Sequence, residues 1–274
     1  MKRTTTATTL GAAALIALTG CGGSDVSEGD TVPLADLQKD VDAGMKDAGT
    51  GSMTAKAGKE TLKGDFDLSE KKPSAALKGQ TGKDALDVKV VEGTYYLKAP
   101  SPEMTQKGKS WIKVPGESKD PTEQQLASSL EAMTKLSDPV AAIDGAKGVD
   151  AKVTGTDGDE VTYEIKLSKK QMGKALEAQA KKSGDEQAQA MAEQAAQGAQ
   201  ATTVKLVVDG KDRPVKSETS AGEQKLTVSY KGWGDDVKIE APEKRKVGTI
   251  EVPKQAQGQA PSGQAPSGSA PSGS

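Results

Sequence analysis

The chain has 274 residues, a formal net charge of −2 and an aromatic content of 3%. It contains no histidine and a single cysteine, Cys21. This composition excludes a Ser-His-Asp triad, a Cys-His pair, a histidine-ligated zinc site and a disulfide within the chain. A nucleic-acid-binding protein would need a basic surface and stacking rings, which this composition does not offer. The composition therefore favours a protein that is not an enzyme and needs no cofactor.

The N-terminal residues 1–20 have the order of a secretory signal peptide, with Lys2-Arg3, a short apolar run and small residues. The apolar run is too short to span a bilayer, which requires about 20 residues. Cys21 directly follows Leu18-Thr19-Gly20, and this segment resembles the lipobox of bacterial lipoproteins. The resemblance implies cleavage before Cys21 and a diacylglyceryl cysteine, with fatty acids such as palmitate, anchored on the extracytoplasmic face of the cell membrane. The alternatives are a secreted protein with a chance cysteine and a transmembrane anchor.

The rest of the chain divides into a tether, one domain and a tail. Residues 21–30 are small and polar, which predicts a lipidated flexible tether. Residues 254–274 repeat Ala-Pro-Ser-Gly and cannot bury enough apolar surface to order, so a disordered tail is predicted. The single domain covers 31–253, and an Ala/Gln-rich insertion is predicted within it at 182–200.

The first half of the domain begins with a helix and continues with strands. Apolar residues at helical spacing predict a helix over 33–47. The period then changes to two and predicts strands over 53–57, 62–68, 86–90, 94–97 and 111–114. Asp120 before Pro121 is a typical helix start, and a helix from 121 followed by a shorter one over 139–147 is predicted.

The second half repeats the alternation around one long helical segment. Strands are predicted over 149–153, 161–167, 204–208, 213–219 and 225–230, and a helix over 169–198 with a break at Ser183-Gly184. The Asp157-Gly158 pair is a hairpin signal, and its surroundings lack the spacing of a calcium loop, so no metal site is predicted. Regular alternation indicates antiparallel strands with one covered face. The predicted fold class is α+β, with a single curved antiparallel half-barrel sheet and helices over its concave apolar face.

In this order of elements the chain resembles the LppX/LprG-type lipoproteins of actinobacteria, which share the half-barrel fold of LolA and LolB. The resemblance covers about 35–252 and also includes the lipobox. The features that carry it are the early helix, the strand Trp111–Val114, the helix pair at 121–147, a D-x-x-x-x-P hairpin within Val207–Val215 and the closing segment Tyr230–Pro242.

The resemblance implies a cavity between sheet and helices that accepts the acyl chains of lipids or lipoglycans. Its candidate lining residues are Phe66, Leu68, Leu86, Val88, Val90, Leu126, Leu130, Met133, Tyr163, Ile165, Leu206, Val208, Leu226 and Val228. By periodicity alone the same residues are more typical of a filled core, and the resemblance brings the two interpretations to equal weight. The first hypothesis is therefore a membrane-anchored carrier or binding protein for lipids or other hydrophobic molecules in the cell envelope. The alternative is a structural or sensory cell-surface lipoprotein with a filled core, acting through contacts with a protein partner that the sequence does not identify.

Overall fold

The computed structural model describes residues 26–250, apart from residues 71, 82–83, 117, 119, 136–137, 141–142 and 184–185. The predicted signal peptide, the lipidation site at Cys21 and the Ala-Pro-Ser-Gly tail lie outside the described residues. Within the described residues, no helix is long and apolar enough to cross a membrane.

One sheet of thirteen strands organises the part of the chain that the structure describes. The strands are β1 Thr31–Pro33, β2 Thr50–Ala57, β3 Glu60–Asp67, β4 Ser74–Thr81, β5 Asp84–Val91, β6 Thr94–Lys98, β7 Trp111–Pro115, β8 Asp150–Asp157, β9 Glu160–Leu167, β10 Thr202–Val208, β11 Pro214–Ala221, β12 Gln224–Lys231 and β13 Val247–Gly248. The helices are α1 Leu34–Ala48, α2 Pro121–Thr134, α3 Lys169–Ser183 and α4 Glu186–Gln197.

The strand order in the sheet is β1-β8-β9-β10-β11-β12-β2-β3-β4-β5-β6-β7-β13. Neighbouring strands are antiparallel, except that β13 runs parallel to β7. A single, mostly antiparallel sheet with a few helices confirms the predicted α+β fold class.

The predicted alternation is visible in the burial of each strand. In β9, Tyr163, Ile165 and Leu167 are buried, whereas Lys166 between them is exposed. In the antiparallel register Val204 of β10 lies opposite Ile165, and the same face of β10 is buried. One face of the sheet is therefore covered and the other is solvated, as antiparallel sheets commonly are.

Three strands, β1, β4 and β13, were not predicted from the sequence, and β13 has only two residues. The residues of β4 alternate Ala75, Leu77 and Gly79 with Ala76 and Lys78, so small residues on both faces weaken the period-two signal. Three-residue β1 is too short to show a period at all.

Residues 26–30, within the segment predicted as a tether, lie against the edge of the sheet. The Gly29 amide donates to the Val153 carbonyl at 3.0 Å, and the Val153 amide donates to the Asp30 carbonyl at 2.9 Å. Gly29 has φ +100°, a conformation that favours glycine. Residues 26–30 thus belong to the domain, which extends five residues before the predicted boundary.

Three of the four predicted helices are found in the structure, and the fourth is not. Helix α1 occupies the predicted range, and the Asp120 carboxylate caps α2 by accepting from the amide of Thr122 at 2.8 Å. Helices α3 and α4 lie on either side of the predicted break. The short helix predicted over 139–147 is wrong for the described residues of that range. They form turns with hydrogen bonds of the 3-10 type: the Ile143 amide donates to the Val140 carbonyl, and the Ala146 amide donates to the Ile143 carbonyl. Gly145 has φ +89° and cannot continue a helix.

Candidate functional site

The covered face of the sheet carries two hydrophobic clusters. The α1 cluster lies beneath α1 and consists of Leu34, Leu37, Val41, Met45, Val140, Ile143, Val149, Ala151, Val153, Tyr163, Ile165, Leu167, Val204, Leu206 and Val208. The α2 cluster lies beneath α2 and consists of Met53, Ala55, Phe66, Ala75, Leu77, Val88, Ile112, Val114, Ala127, Leu130, Val228 and Tyr230.

The α1 cluster is a filled core. Helix α1 contributes four residues at helical spacing, of which Val41 is 0% exposed and Met45 is 4% exposed. The strand residues below them, such as Ile165 and Leu206, have no exposed surface. Side chains packed in this way leave no room for a ligand between α1 and β8–β10.

Trp233 lies at the boundary of the two clusters and packs against both. Its ring contacts Phe66 edge-on, with ring centroids 5.3 Å apart, and stacks on Tyr230 at 6.1 Å. Its indole N–H donates to the Pro214 carbonyl at 2.8 Å. The two sequence motifs that carried the family resemblance, the Asp-to-Pro hairpin and the closing segment, therefore meet at this joint.

The hairpin itself is held by Asp209. The Asp209 carboxylate accepts from the amides of Lys211 and Arg213, both at 3.0 Å, and from the Arg213 guanidinium at 2.8 and 2.6 Å. Burial alone would raise the pKa of the Asp209 carboxyl, but the hydrogen bonds from Arg213 outweigh that effect and keep this pKa below its ordinary value. Asp209 is accordingly a structural anion that fixes Pro214 beneath Trp233.

A cleft of about 1340 Å³ opens beside the α2 cluster. It is bounded by the C-terminal halves of α1 and α2, by the β3–β4 connection and by the β5–β6 turn. Its apolar lining consists of Met45, Phe66, Leu68, Ala75, Val90 and Tyr95. Its volume exceeds the 300–1,000 Å³ that is typical of small-molecule pockets.

The rim of the cleft is polar and of mixed charge. Asp42, Lys46, Glu131, Lys135 and Asp138 line both the cleft and a second groove of about 890 Å³ between α1 and α2. The apolar floor of the cleft thus continues into a charged surface groove. This arrangement suits an amphiphile, because the apolar part of such a molecule needs apolar contacts and its headgroup needs polar ones.

Tyr95 lies between the two parts of this surface. It is half-buried against the α2 cluster and lines the cleft. Burial raises the pKa of the Tyr95 phenol, and the nearby Glu131 carboxylate raises it further. The phenol therefore stays neutral at physiological pH and remains a hydrogen-bond donor beside the apolar floor.

The structure divides the fourteen predicted lining residues among three environments. Phe66, Leu68 and Val90 line the cleft. Tyr163, Ile165, Leu206 and Val208 belong to the filled α1 cluster. The remaining seven lie in or against the α2 cluster: Val88, Leu130 and Val228 are buried, and Leu86, Leu126, Met133 and Leu226 are half-buried.

Three apolar residues of the cleft were missed by the sequence analysis. Met45 lies on the buried face of α1, at the point where that face reaches the cleft. Tyr95 follows the same alternation as its strand neighbours, and this could have identified it as inward-facing. Ala75 lies on the strand that was not predicted.

Acidic groups in the described part of the chain do not assemble into a metal site, since no group of three or more candidate ligands comes together there. Asp157 and Asp159 are exposed residues of the β8–β9 turn.

No protein-family model matches the chain, and no curated protein matches it. Similar solved structures do exist. LprF from Mycobacterium bovis is 12% identical over 77% of this chain and 98% of its own, with a TM-score of 0.42. The Mycobacterium tuberculosis lipoprotein LppX is 12% identical over 75% of this chain and 99% of its own, with a TM-score of 0.41. Both are lipoproteins of the LppX/LprG family, which the sequence motifs resemble. The chain is similar to them in structure.

A third solved structure is the complex of MucA and MucB from Pseudomonas aeruginosa. It is 12% identical over 79% of this chain and 63% of its own chain, with a TM-score of 0.32.

Proposed function

We propose that this protein is a membrane-anchored extracytoplasmic lipoprotein that binds or carries lipids or other hydrophobic molecules in the cleft between sheet and helices. The observation that carries the proposal is the cleft of about 1340 Å³, with an apolar floor that includes Phe66, Leu68 and Val90. The lipobox-like segment ending at Cys21 supports the anchor. Shielding of acyl chains from water is the proposed mechanism.

The energetics of this mechanism follow from the lining. Each methylene transferred from water to an apolar surface contributes about 0.8 kcal/mol, so a long acyl chain is retained by burial alone. Within the floor, Phe66 is held in place by its edge-on contact with Trp233, at 5.3 Å between ring centroids. The charged rim, with Lys46 and Lys135 beside acidic residues, keeps a polar headgroup at the surface.

The alternative is a structural or sensory cell-surface lipoprotein that acts through protein contacts. The packing of the α1 cluster favours it, because half of the covered face is a filled core. Under this alternative the cleft would hold only water, and mutation of its floor would leave protein contacts unchanged.

Native mass spectrometry of a soluble form beginning at Gly22, produced in a lipid-containing host, tests the proposal. We expect discrete adducts that extract into organic solvent as lipids. A clean mass without adducts, and no uptake of added lipid, would instead favour the filled-core alternative.

A matched pair of variants locates the bound molecule. Leu68 lines the cleft, and Leu62 is also half-buried against the α2 cluster but lies outside the cleft. Leu68→Gln should remove the adducts, and Leu62→Gln should retain them. If both variants lose the adducts equally, or neither does, the ligand does not lie in this cleft.

The anchor is tested separately by Cys21→Ser in the full chain. Loss of the thiol removes the only acylation site in the sequence, so the variant should leave the membrane fraction. Retention of the variant in that fraction would contradict anchoring through Cys21.

A further inference from the structure

We propose that the mouth of the cleft faces the bilayer that carries the Cys21 anchor, because the tether joins the sheet at the end where the cleft opens and is too short to let the domain invert. This inference rests on the proposed function and adds to it the surface that receives the ligand. Three observations carry it: the attachment of residues 26–30, the end of the sheet at which they attach, and the distance to Cys21.

The root of the tether is held on the sheet. Val26 packs against the α1 cluster. The Ser27 amide donates to the Asp30 carboxylate at 2.8 Å, and the Gly29 amide donates to the Val153 carbonyl at 3.0 Å. The chain is therefore attached to the sheet from Val26 onward.

This root and the cleft lie at the same end of the sheet, which we call the tether end. Pairing of β1 with β8 brings residues 26–29 toward the β8–β9 turn. In the antiparallel register, the β10–β11 hairpin lies at the same end of the sheet as the β8–β9 turn. The two turns are in close contact, since a Cβ placed on Gly210 would lie 3.1 Å from the Cβ of Asp159. It then continues through β12 and β2 to the β3–β4 connection and the β5–β6 turn, both of which line the cleft.

The length of the tether limits how the domain can turn. Five Cα–Cα steps lead from Cys21 to Val26, so these two Cα atoms are at most about 18 Å apart in any conformation. The eight-residue strands that separate the two ends of the sheet are about 25 Å long. The domain therefore cannot stand inverted on the end opposite the tether end, with its strands perpendicular to the bilayer.

A lipid leaving the membrane meets the cleft from this side. The ligand would then pass from the bilayer into the apolar floor across a short aqueous gap, and the partner of the tether end is the lipid surface itself. The test needs site-specific labels, and the chain is well suited to them because its one cysteine is the anchor.

The experiment places one fluorophore at either end of β3 in the full acylated chain. Glu70→Cys reports the tether end, beside the cleft, and Lys59→Cys reports the opposite end; both residues are exposed. The labelled proteins are reconstituted in phosphatidylcholine vesicles that contain lipids with a quencher on the headgroup. We expect severalfold stronger quenching at Glu70→Cys than at Lys59→Cys. Equal quenching, stronger quenching at Lys59→Cys, or failure of the chain to associate with the vesicles would overturn the proposal.

A longer tether tests whether the short tether is what orients the domain. Insertion of about 20 Gly/Ser residues between Gly23 and Ser24 adds a flexible chain with a root-mean-square span of about 25 Å. The difference in quenching between the two labels should then disappear, and lipid uptake from the same vesicles should slow severalfold. If the difference persists, the short tether does not orient the domain.

The labels need no ligand, so the two proposals can fail separately. Strong quenching at Glu70→Cys without lipid adducts in native mass spectrometry would retain the orientation and reject the carrier function. Lipid adducts with equal quenching of both labels would retain the carrier function and reject the orientation.

Discussion

The two halves of the covered face carry similar strands but are packed differently. Under α1, β8–β10 meet a helix with four large buried apolar residues, Leu34, Leu37, Val41 and Met45. Under α2, the helix contributes buried Ala127 and Leu130, while Leu126 and Met133 are only half-buried. The cleft lies beside the α2 cluster and is lined by residues of both helices.

This difference indicates that the helix above the strands, rather than the sheet itself, determines where a cavity forms. Both halves present alternating apolar residues toward their helices. A helix with a continuous apolar face fills the space above the strands, whereas a helix with small and half-exposed residues leaves part of it open. Function is therefore expected on the less completely packed half.

A pair of leucine truncations gives the strongest test of whether the two halves are packed differently. Leu206→Ala removes a side chain with no exposed surface from the filled half and should lower the free energy of unfolding by about 3–4 kcal/mol. Leu68→Ala, half-buried in the cleft wall, should lower it by about 1 kcal/mol. Urea denaturation of both variants measures the difference. Equal losses would show that the two halves are packed alike.

The joint between the halves is tested by Trp233→Phe. The variant loses the indole hydrogen bond to Pro214 and part of the ring that contacts Phe66, so a loss of about 2 kcal/mol is expected. Lipid binding should weaken as well, because Trp233 supports the cleft floor. Thermal unfolding and lipid titration measure the two effects, and unchanged values of both would remove Trp233 from this role.

The hairpin below the joint should respond to acid. The pKa of Asp209 is lower in the folded protein than in the unfolded chain, so its contribution is complete above the unfolded value of about 3.9 and is lost as pH falls through the folded value. Asp209→Asn should cost about 1.5 kcal/mol at pH 7 and less at pH 2. Denaturation at both pH values measures this, and a cost that is the same at both would contradict the assignment.

The smallest effect is expected on the solvated face. Lys216 and Lys225 bind Glu218 at 2.7 and 2.9 Å and lower the pKa of its carboxyl to about 2. Because the folded pKa is lowered, stability should decline as pH falls from about 4.3 toward 2. Such surface pairs contribute little, so Glu218→Gln should cost less than about 1 kcal/mol, and less still in high salt. A larger cost in denaturation would show that this pair supports the fold.

Much of the fold could be predicted because its signals are local. Alternation in β9 and β10, the Asp157-Gly158 turn and the Asp120 cap each depend on neighbouring residues, and each is found in the structure. The errors also have local causes. Small residues concealed β4, and the positive φ of Gly145 ended a helix that composition favoured.

The candidate site could be predicted only in part. Phe66, Leu68 and Val90 were identified as inward-facing and do line the cleft. Ile165 and Leu206 have the same pattern in the sequence but lie under α1 in a filled core. Alternation identifies the face to which a residue belongs, and it contains no information about what lies above that face.

The sequence by itself determined ten of the thirteen strands, the first two helices, the covered face and the lipobox-like segment at Cys21, because each depends on residues close together in the chain. Only the tertiary structure decided which half of the sheet is filled, where the cleft opens, and that the tether joins the sheet at the same end as the cleft. These features depend on contacts between distant segments, such as α1 over β8–β10 and residues 26–30 beside Val153. Packing between such segments is the physical reason that an apolar residue becomes either core or cavity wall.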